Sequence, residues 1–154
     1  MKLDISEKTA KRLYPESQSW FREVLEETFG RNCFKKKDWK YIKTYEDACE
    51  ALGLDAKDQF MIDATPDEKA YIKLKIIIQA INQGWTPDWS NSSQYKYSPW
   101  FDLSSGFGFS GSDDGYAGAL TIVGSRLCFE SKEKSDYTAT QFFDVYKEFL
   151  TITK

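Results

Sequence analysis

The sequence of 154 residues contains no histidine. Histidine is the commonest general base in enzymes, since its unperturbed pKa of about 6.5 lies close to neutral pH. Its absence excludes Ser-His-Asp and Cys-His catalysis. It also excludes every zinc site that has an imidazole ligand. Whatever the chain does, imidazole chemistry plays no part in it.

Cysteine and long apolar runs are also scarce. The three cysteines, Cys33, Cys49 and Cys128, lie far apart, whereas a zinc site built from cysteine alone needs four at close spacing. The sequence has no run of about 18 apolar residues, as a transmembrane helix would require. Residues 1–5 turn polar at once, unlike the start of a signal peptide. We therefore expect reduced thiols in a cytoplasmic protein that has no membrane partner.

Large apolar side chains are abundant instead. Hydrophobic residues make up 41% of the chain and aromatic residues 16%, and the net charge is −3. Aromatic side chains each bury a large area, and a disordered chain would combine low hydrophobicity with high net charge. We therefore expect one domain, 1–154, that needs no disulfide, metal or cofactor. The negative net charge gives no general attraction to nucleic acid.

Apolar spacing and capping motifs predict helices in the first half of the chain. The most regular helix has Leu74 and Ile78 on one face, and Thr65 and Glu68 form a capping box at its start. A similar motif begins at residue 44, with aspartate in place of glutamate. The predicted helices cover residues 6–13, 15–29, 44–52 and 66–83.

The periodicity changes after Gly84, where aromatic residues, glycine and serine dominate. Residues 85–94 are predicted to form an ordered loop, and a turn is predicted at 112–115 because Asp-Gly is a strong hairpin signal. The predicted strands cover 95–103, 107–110, 117–123 and 126–130, and a last helix covers 132–150. Separate runs of helices and strands indicate an α+β fold. We expect N-terminal helices, a small antiparallel β-meander of about four strands, and a C-terminal helix that packs on the sheet.

Five segments of the sequence carry a resemblance to a known family. They are 45–49 (YEDAC), 84–91 (GWTPDWSN), 95–101 (YKYSPWF), 106–109 (GFGF) and 124–129 (GSRLCF). The chain resembles the small uncharacterised proteins encoded by prophages and mobile elements of gut Bacteroides-type bacteria. The resemblance implies a phage-related context and an intracellular origin, and it implies no activity.

Aromatic residues are concentrated where the predicted helices of the first half end and the predicted strands begin. The six residues that we consider for partner binding are Trp85, Trp89, Tyr95, Tyr97, Trp100 and Phe101. Aromatic side chains with a polar group are enriched at protein interfaces, although part of this segment must also pack on the helices. The leading hypothesis is a non-catalytic interaction module that binds a protein partner through this aromatic surface.

A basic segment supports a second hypothesis. Residues 31–43 contain six basic residues against Asp38, which gives +5 and leaves −8 for the rest of the chain. The basic residues are Arg31, Lys35, Lys36, Lys37, Lys40 and Lys43. Lysine neutralises phosphate, and the aromatic residues between these lysines can stack on unpaired bases. The alternative function is therefore a nucleic-acid-binding accessory protein, and the simpler interpretation is a solvated face.

Three aspartates support a third hypothesis, a carboxylate-dependent hydrolase. Asp102, Asp113 and Asp114 are the candidate acids, and a glycosidase-like pair needs two carboxyl groups roughly 5–10 Å apart. Neighbouring residues of a strand point to opposite sides, which favours a solvated turn for Asp113 and Asp114. The sequence therefore favours a non-catalytic role and leaves enzymatic activity through these carboxylates as an open alternative.

Overall fold

The computed structural model describes residues 4–34, 37–113 and 123–152, without the side chains of Asn32 and Asp113. The chain divides into two compact units, Met1–Asp38 and Trp39–Lys154, so the single domain 1–154 stays a prediction. The described residues contain six α-helices and one antiparallel sheet of two strands. The predicted α+β class is confirmed.

The first unit is helical. Helix α1 covers Glu7–Leu13 and helix α2 covers Ser19–Phe29. Ser6 caps α1, since its hydroxyl accepts the N–H of Thr9 at 3.2 Å. The predicted helix over 15–29 begins later than expected. Residues 14–16 form a single 3-10 turn, and the backbone is extended at Ser17 and Gln18.

Aromatic stacking holds the first unit together. The rings of Tyr14 and Phe34 stack with centroids 4.2 Å apart, and Phe29 meets Phe34 edge-on at 6.4 Å. The hydroxyl of Tyr14 donates a hydrogen bond to Glu26, and Leu25 is fully buried. These contacts join the C-terminal half of α2 to the turns that flank the helix.

The second unit contains four helices and the sheet. Helices α3 to α6 cover Tyr45–Leu52, Pro66–Asn82, Lys132–Gln141 and Phe143–Leu150, and strands β1 and β2 cover Ser98–Asp102 and Gly108–Asp113. Helix α4 packs against α3 and α6. Among the described segments, every helix is too short or too polar to span the hydrocarbon of a bilayer.

Capping motifs set the start of α3 and α4, as predicted. The Asp47 carboxylate accepts the N–H groups of Lys43 and Thr44, each at 2.9 Å, and the Thr44 hydroxyl accepts the Asp47 N–H at 3.1 Å. At α4, the carboxylate of Glu68 accepts the N–H of Thr65 at 2.8 Å. Helix α3 ends because Gly53 adopts a left-handed conformation with φ of 68°.

The core of the second unit forms around the apolar face of α4. Leu74, Ile77 and Ile81 are fully buried, and Phe129 from the segment after the sheet is buried in the same cluster. Burial of each such side chain contributes roughly 1.5–3 kcal/mol. The amide of Asn82 at the end of α4 donates to the carbonyl of Cys128 at 2.9 Å. This bond joins α4 to the segment that carries Phe129.

Within the described residues the sheet has two strands, whereas we predicted a meander of about four. Strands β1 and β2 pair antiparallel, with Ser98 opposite Asp113 and a bulge between Trp100 and Phe101. The predicted strand 126–130 is instead a turn with one isolated bridge, Tyr97 to Phe129. Most of the predicted strand 117–123 and the end of the predicted turn at 112–115 lie outside the described residues. Ser112 and Asp113, which we expected in that turn, belong to β2.

The predicted C-terminal helix over 132–150 is two helices that meet at Phe142. The backbone of Phe142 leaves the helical region, with φ of −113° and ψ of 32°. Helix α5 presents a small, polar buried face and packs on both strands. Helix α6 packs mainly on α4, where the ring of Phe149 stacks on Tyr71 at 5.5 Å, and its Tyr146 ring also meets Phe101 of β1. The break lets α5 pack mainly on the sheet and α6 mainly on α4.

The cap of α3 gives a stability prediction. We expect Thr44→Ala to lower the free energy of unfolding by about 1 kcal/mol, because the Asp47 N–H loses its acceptor. Urea denaturation followed by circular dichroism measures this change. Thr86→Ala is the matched control, since Thr86 is exposed and its hydroxyl forms no hydrogen bond within the described residues. Equal losses in the two variants would contradict the assigned cap.

Candidate functional site

The structure separates the six aromatic residues of the predicted partner surface by exposure. Tyr95 and Trp100 are largely exposed, at 54% and 47%, and the other four are half-buried. Phe101 stacks on Phe107 with centroids 4.7 Å apart and contacts Tyr146 at 4.9 Å. Because successive side chains of a strand point to opposite faces, Trp100 faces outward where Phe101 faces the core.

Trp89 stabilises the loop that precedes the sheet. Its indole N–H donates to the hydroxyl of Ser125 at 2.6 Å, and the ammonium of Lys96 lies 5.2 Å from its ring centroid. Lys96 is only 6% exposed. Its ammonium donates to the carbonyls of Asn91 and Gln94, at 3.1 and 2.8 Å. These two hydrogen bonds offset the cost of burying the Lys96 charge. No carboxylate of the described residues forms an ion pair with it.

Cys128 lies beside this loop and is buried. Its thiol donates to the carbonyl of Ser125 at 3.4 Å. Burial raises the pKa of the Cys128 thiol to about 11, although the nearby Lys96 ammonium acts in the opposite direction. A thiol with a raised pKa is a poor nucleophile at neutral pH, so Cys128 has a structural role here.

The basic segment 31–43 crosses the boundary between the two units. Within the described residues, two of its charges are paired with carboxylates. Arg31 lies 3.1 Å from Glu26, and Lys40 lies 2.7 Å from Glu133. Lys35 and Lys36 fall outside the described residues, and Lys37 is exposed. Binding of nucleic acid by the whole segment stays a prediction.

Of the three candidate acids, the structure describes only the side chain of Asp102. Hydrogen bonds from the Ser104 hydroxyl and N–H lower the pKa of Asp102, which is exposed and caps a turn. Asp114 and the side chain of Asp113 lie outside the described residues. Within the ranges that the structure describes, no three Cys, Asp or Glu side chains lie close enough to hold a metal ion.

A cleft in the second unit brings together side chains that are distant in sequence. It has a volume of about 530 Å³ and lies at the start of α3, beside α4, α6 and the loop before α4. We call it the lysine cleft. Its lining residues are Lys43, Thr44, Tyr45, Glu46, Ala56, Lys57, Phe60, Lys73, Phe142 and Val145.

The charge of the lysine cleft is opposite in sign to that of the chain. Three lysines and one carboxylate, that of Glu46, line it, whereas the whole chain has a net charge of −3. Among the described residues, none of the ammonium groups of Lys43, Lys57 and Lys73 forms an ion pair. Such a concave basic site attracts anions.

Two aromatic rings form part of the cleft wall. The centroids of Tyr45 and Phe60 lie 5.7 Å apart, and the ammonium of Lys73 lies 6.0 and 5.9 Å from these rings. The Tyr45 hydroxyl donates to the carbonyl of Ala56 at 3.3 Å, which holds the loop against α3. Burial, with a smaller contribution from the Cys49 side chain, raises the pKa of Tyr45. The phenol therefore stays neutral and adds no negative charge to the cleft.

The N-terminus of α3 is not itself the anion site. The Asp47 carboxylate already accepts the N–H groups of Lys43 and Thr44, and its negative charge opposes the positive end of the helix dipole. The lysine side chains, which come from three separate segments, carry the positive charge of the cleft. Only Lys43 belongs to the basic segment identified in the sequence. Lys57 and Lys73 lie outside that segment and belong to no sequence motif that would single them out.

Comparison with known proteins finds no match, either among family models, among curated proteins or among solved structures. The interpretation of the lysine cleft therefore depends on its geometry and chemistry alone.

The buried thiol gives a prediction of pH dependence. In the unfolded chain the Cys128 thiol ionises near pH 9, and in the folded protein near pH 11. The folded state thus holds more protons in this window, so the free energy of unfolding should fall as the pH rises from about 9 to about 11. Guanidinium denaturation at several pH values measures the slope. Cys128→Ala should flatten it, and an unchanged slope would contradict the assignment.

Proposed function

We propose that this protein is a non-catalytic binding module whose lysine cleft holds the phosphate groups of an anionic ligand. The observation that carries the proposal is the convergence of Lys43, Lys57 and Lys73, without ion-pair partners in the described residues, on one concave surface. Lysine binds phosphate as a flexible point charge. The acidic remainder of the chain disfavours non-specific binding elsewhere.

The chemistry of the cleft supports binding rather than catalysis. The chain has no histidine, Tyr45 is held neutral because its pKa is raised, and the cleft has a single carboxylate, on the exposed Glu46. General acid–base catalysis would require a positioned donor and acceptor of protons. The residues that line the cleft supply lysine charge and aromatic surface instead.

This proposal keeps the nucleic-acid hypothesis and assigns binding to a different set of residues. The site shifts from the whole segment 31–43 to Lys43 at its end, together with Lys57 and Lys73. A cytoplasmic location and a phage-related context belong to the same proposal. The three cysteines support the location, since all are free of disulfides, and the segments quoted for the family resemblance support the context.

A second candidate function is binding of a protein partner at Tyr95 and Trp100. The observation that favours it is the exposure of these two large side chains, at 54% and 47%, next to a two-stranded sheet. Exposed aromatic side chains are enriched among the residues that dominate binding energy at interfaces. This surface is separate from the lysine cleft, since neither residue lines that cleft.

The lysine cleft gives a binding prediction. We expect the double variant Lys57→Gln, Lys73→Gln to weaken binding of a fluorescent single-stranded oligonucleotide at least tenfold at low salt, because two phosphate contacts are lost. Fluorescence anisotropy at two salt concentrations measures the affinity, and the salt dependence should become shallower. The control Lys8→Gln, Lys147→Gln changes the net charge equally at exposed positions outside the cleft. Equal weakening by both variants would show that only net charge matters.

The exposed aromatic pair gives a separate prediction. We expect Tyr95→Ser, Trp100→Ser to abolish capture of a specific protein partner, because the exposed rings supply the contact area, and to leave oligonucleotide affinity unchanged. Quantitative pull-down from cells of the natural host measures the capture. Trp20→Ser is the control, since Trp20 is largely exposed in the first unit. A partner that the double variant still captures would rule out this surface.

A further inference from the structure

The aromatic wall of the lysine cleft specifies the class of ligand. We propose that the cleft binds single-stranded nucleic acid, with one unpaired base against Tyr45 and Phe60 and the adjacent phosphates on the lysines. This inference rests on the proposed function, since it assigns the ligand of the same site. It adds a role for the two aromatic rings that binding of phosphate alone does not require.

The two rings pack on each other in the cleft, beside Lys73. Tyr45 and Phe60 are half-buried and both line the cleft, with an angle of 35° between their planes. The Lys73 ammonium lies about 6 Å from both centroids, so base and phosphate contacts converge within one site. Stacking of a base on an aromatic side chain strengthens binding and tolerates any sequence. A phosphate without a base gains nothing from these rings.

The shape of the cleft favours a single strand over a duplex. The volume of the cleft, about 530 Å³, lies in the range of ligand pockets, about 300–1,000 Å³, and the cleft is open to solvent. The bases of a duplex are covered by their neighbours in the stack, and extrusion of one base is unfavourable because it breaks pairing and stacking. An unpaired base enters such a cleft without that cost, as in other proteins that bind single strands.

The charged side chains are arranged for a ligand that is longer than one phosphate. Lys43 precedes α3, Lys57 lies in the loop before α4, and Lys73 lies on α4. They therefore approach the cleft from three segments of the chain. Glu46 repels phosphate, but a carboxylate also accepts hydrogen bonds from the amino groups of bases. The mixture of three lysines, one carboxylate and two rings fits a nucleotide chain better than a simple anion.

The test compares ligands that have the same phosphates and differ in their bases. Full-length protein is titrated by anisotropy with a single-stranded DNA of about 12 nucleotides, an abasic oligomer of equal length, and the corresponding duplex. We expect the single strand to bind about tenfold more tightly than the abasic oligomer and the duplex. Inorganic phosphate should compete only at much higher concentration.

Variants of the rings separate stacking from charge. Phe60→Leu keeps an apolar side chain but removes the ring, so we expect affinity for the single strand to fall to the level of the abasic oligomer. Its affinity for the abasic oligomer should not change. The matched control is Trp100→Leu, which removes an exposed ring that does not line the cleft, and it should bind like the unmodified protein.

Each contrary outcome has a distinct meaning. If Lys57→Gln, Lys73→Gln weakens binding but bases and Phe60 make no difference, stacking is wrong and the phosphate site stands. If that double variant binds as well as the unmodified protein, both proposals are wrong. Vesicles with about 30% anionic phospholipid are a further probe, because Met61 and Ile62 beside Phe60 are 79% and 99% exposed. Binding to vesicles without binding to any oligonucleotide would overturn the nucleic-acid assignment.

Discussion

Burial of the apolar face of α4 is the interaction on which the second unit depends. Leu74, Ile77 and Ile81 pack with α3, with α6 and with Phe129 in one cluster. The non-directional hydrophobic effect supplies the free energy of this packing, and specific polar bonds fix its geometry. The bond from Asn82 to the Cys128 carbonyl is one of these, because it sets where the chain after the sheet meets the end of α4. The lysine cleft follows from the same packing, since α3, α4 and α6 form its walls.

The site and the core share elements but use opposite sides of them. Tyr45 packs against the core cluster and also lines the cleft, and Lys73 lies on α4 one residue before the buried Leu74. Helical periodicity makes this arrangement possible, because neighbouring residues of a helix point about 100° apart. The apolar core thereby holds Tyr45 and Lys73 in place, and the hydrogen bond from the Tyr45 hydroxyl to the Ala56 carbonyl holds the loop beside them. The ammonium groups stay available because no carboxylate of the described residues pairs with them.

Local patterns predicted the helices well and the sheet poorly. The caps at Thr44 and Thr65 and the apolar face of α4 are local features of the sequence, so their consequences appear where expected. The turn at 126–130 was mistaken for a strand because Leu127, Cys128 and Phe129 are apolar. Leu127 and Phe129 are buried in the cluster around α4, and the backbone pairing in this segment is limited to one isolated bridge at Phe129. Likewise, the break at Phe142 depends on what α5 and α6 pack against, which no local pattern records.

The sequence by itself determined the mixed α+β class, the starts of α3 and α4, and the exclusion of imidazole chemistry. These properties depend on residue identity and on short-range hydrogen bonds, both of which can be read along the chain. Only the tertiary structure decided which aromatic rings face solvent and which charges converge. Lys43, Lys57 and Lys73 line one cleft, although Lys57 follows Lys43 by 14 positions and Lys73 follows Lys57 by 16. Long-range packing of α3, α4 and the loop between them brings these residues together, and a single sequence contains no periodic signal for that contact.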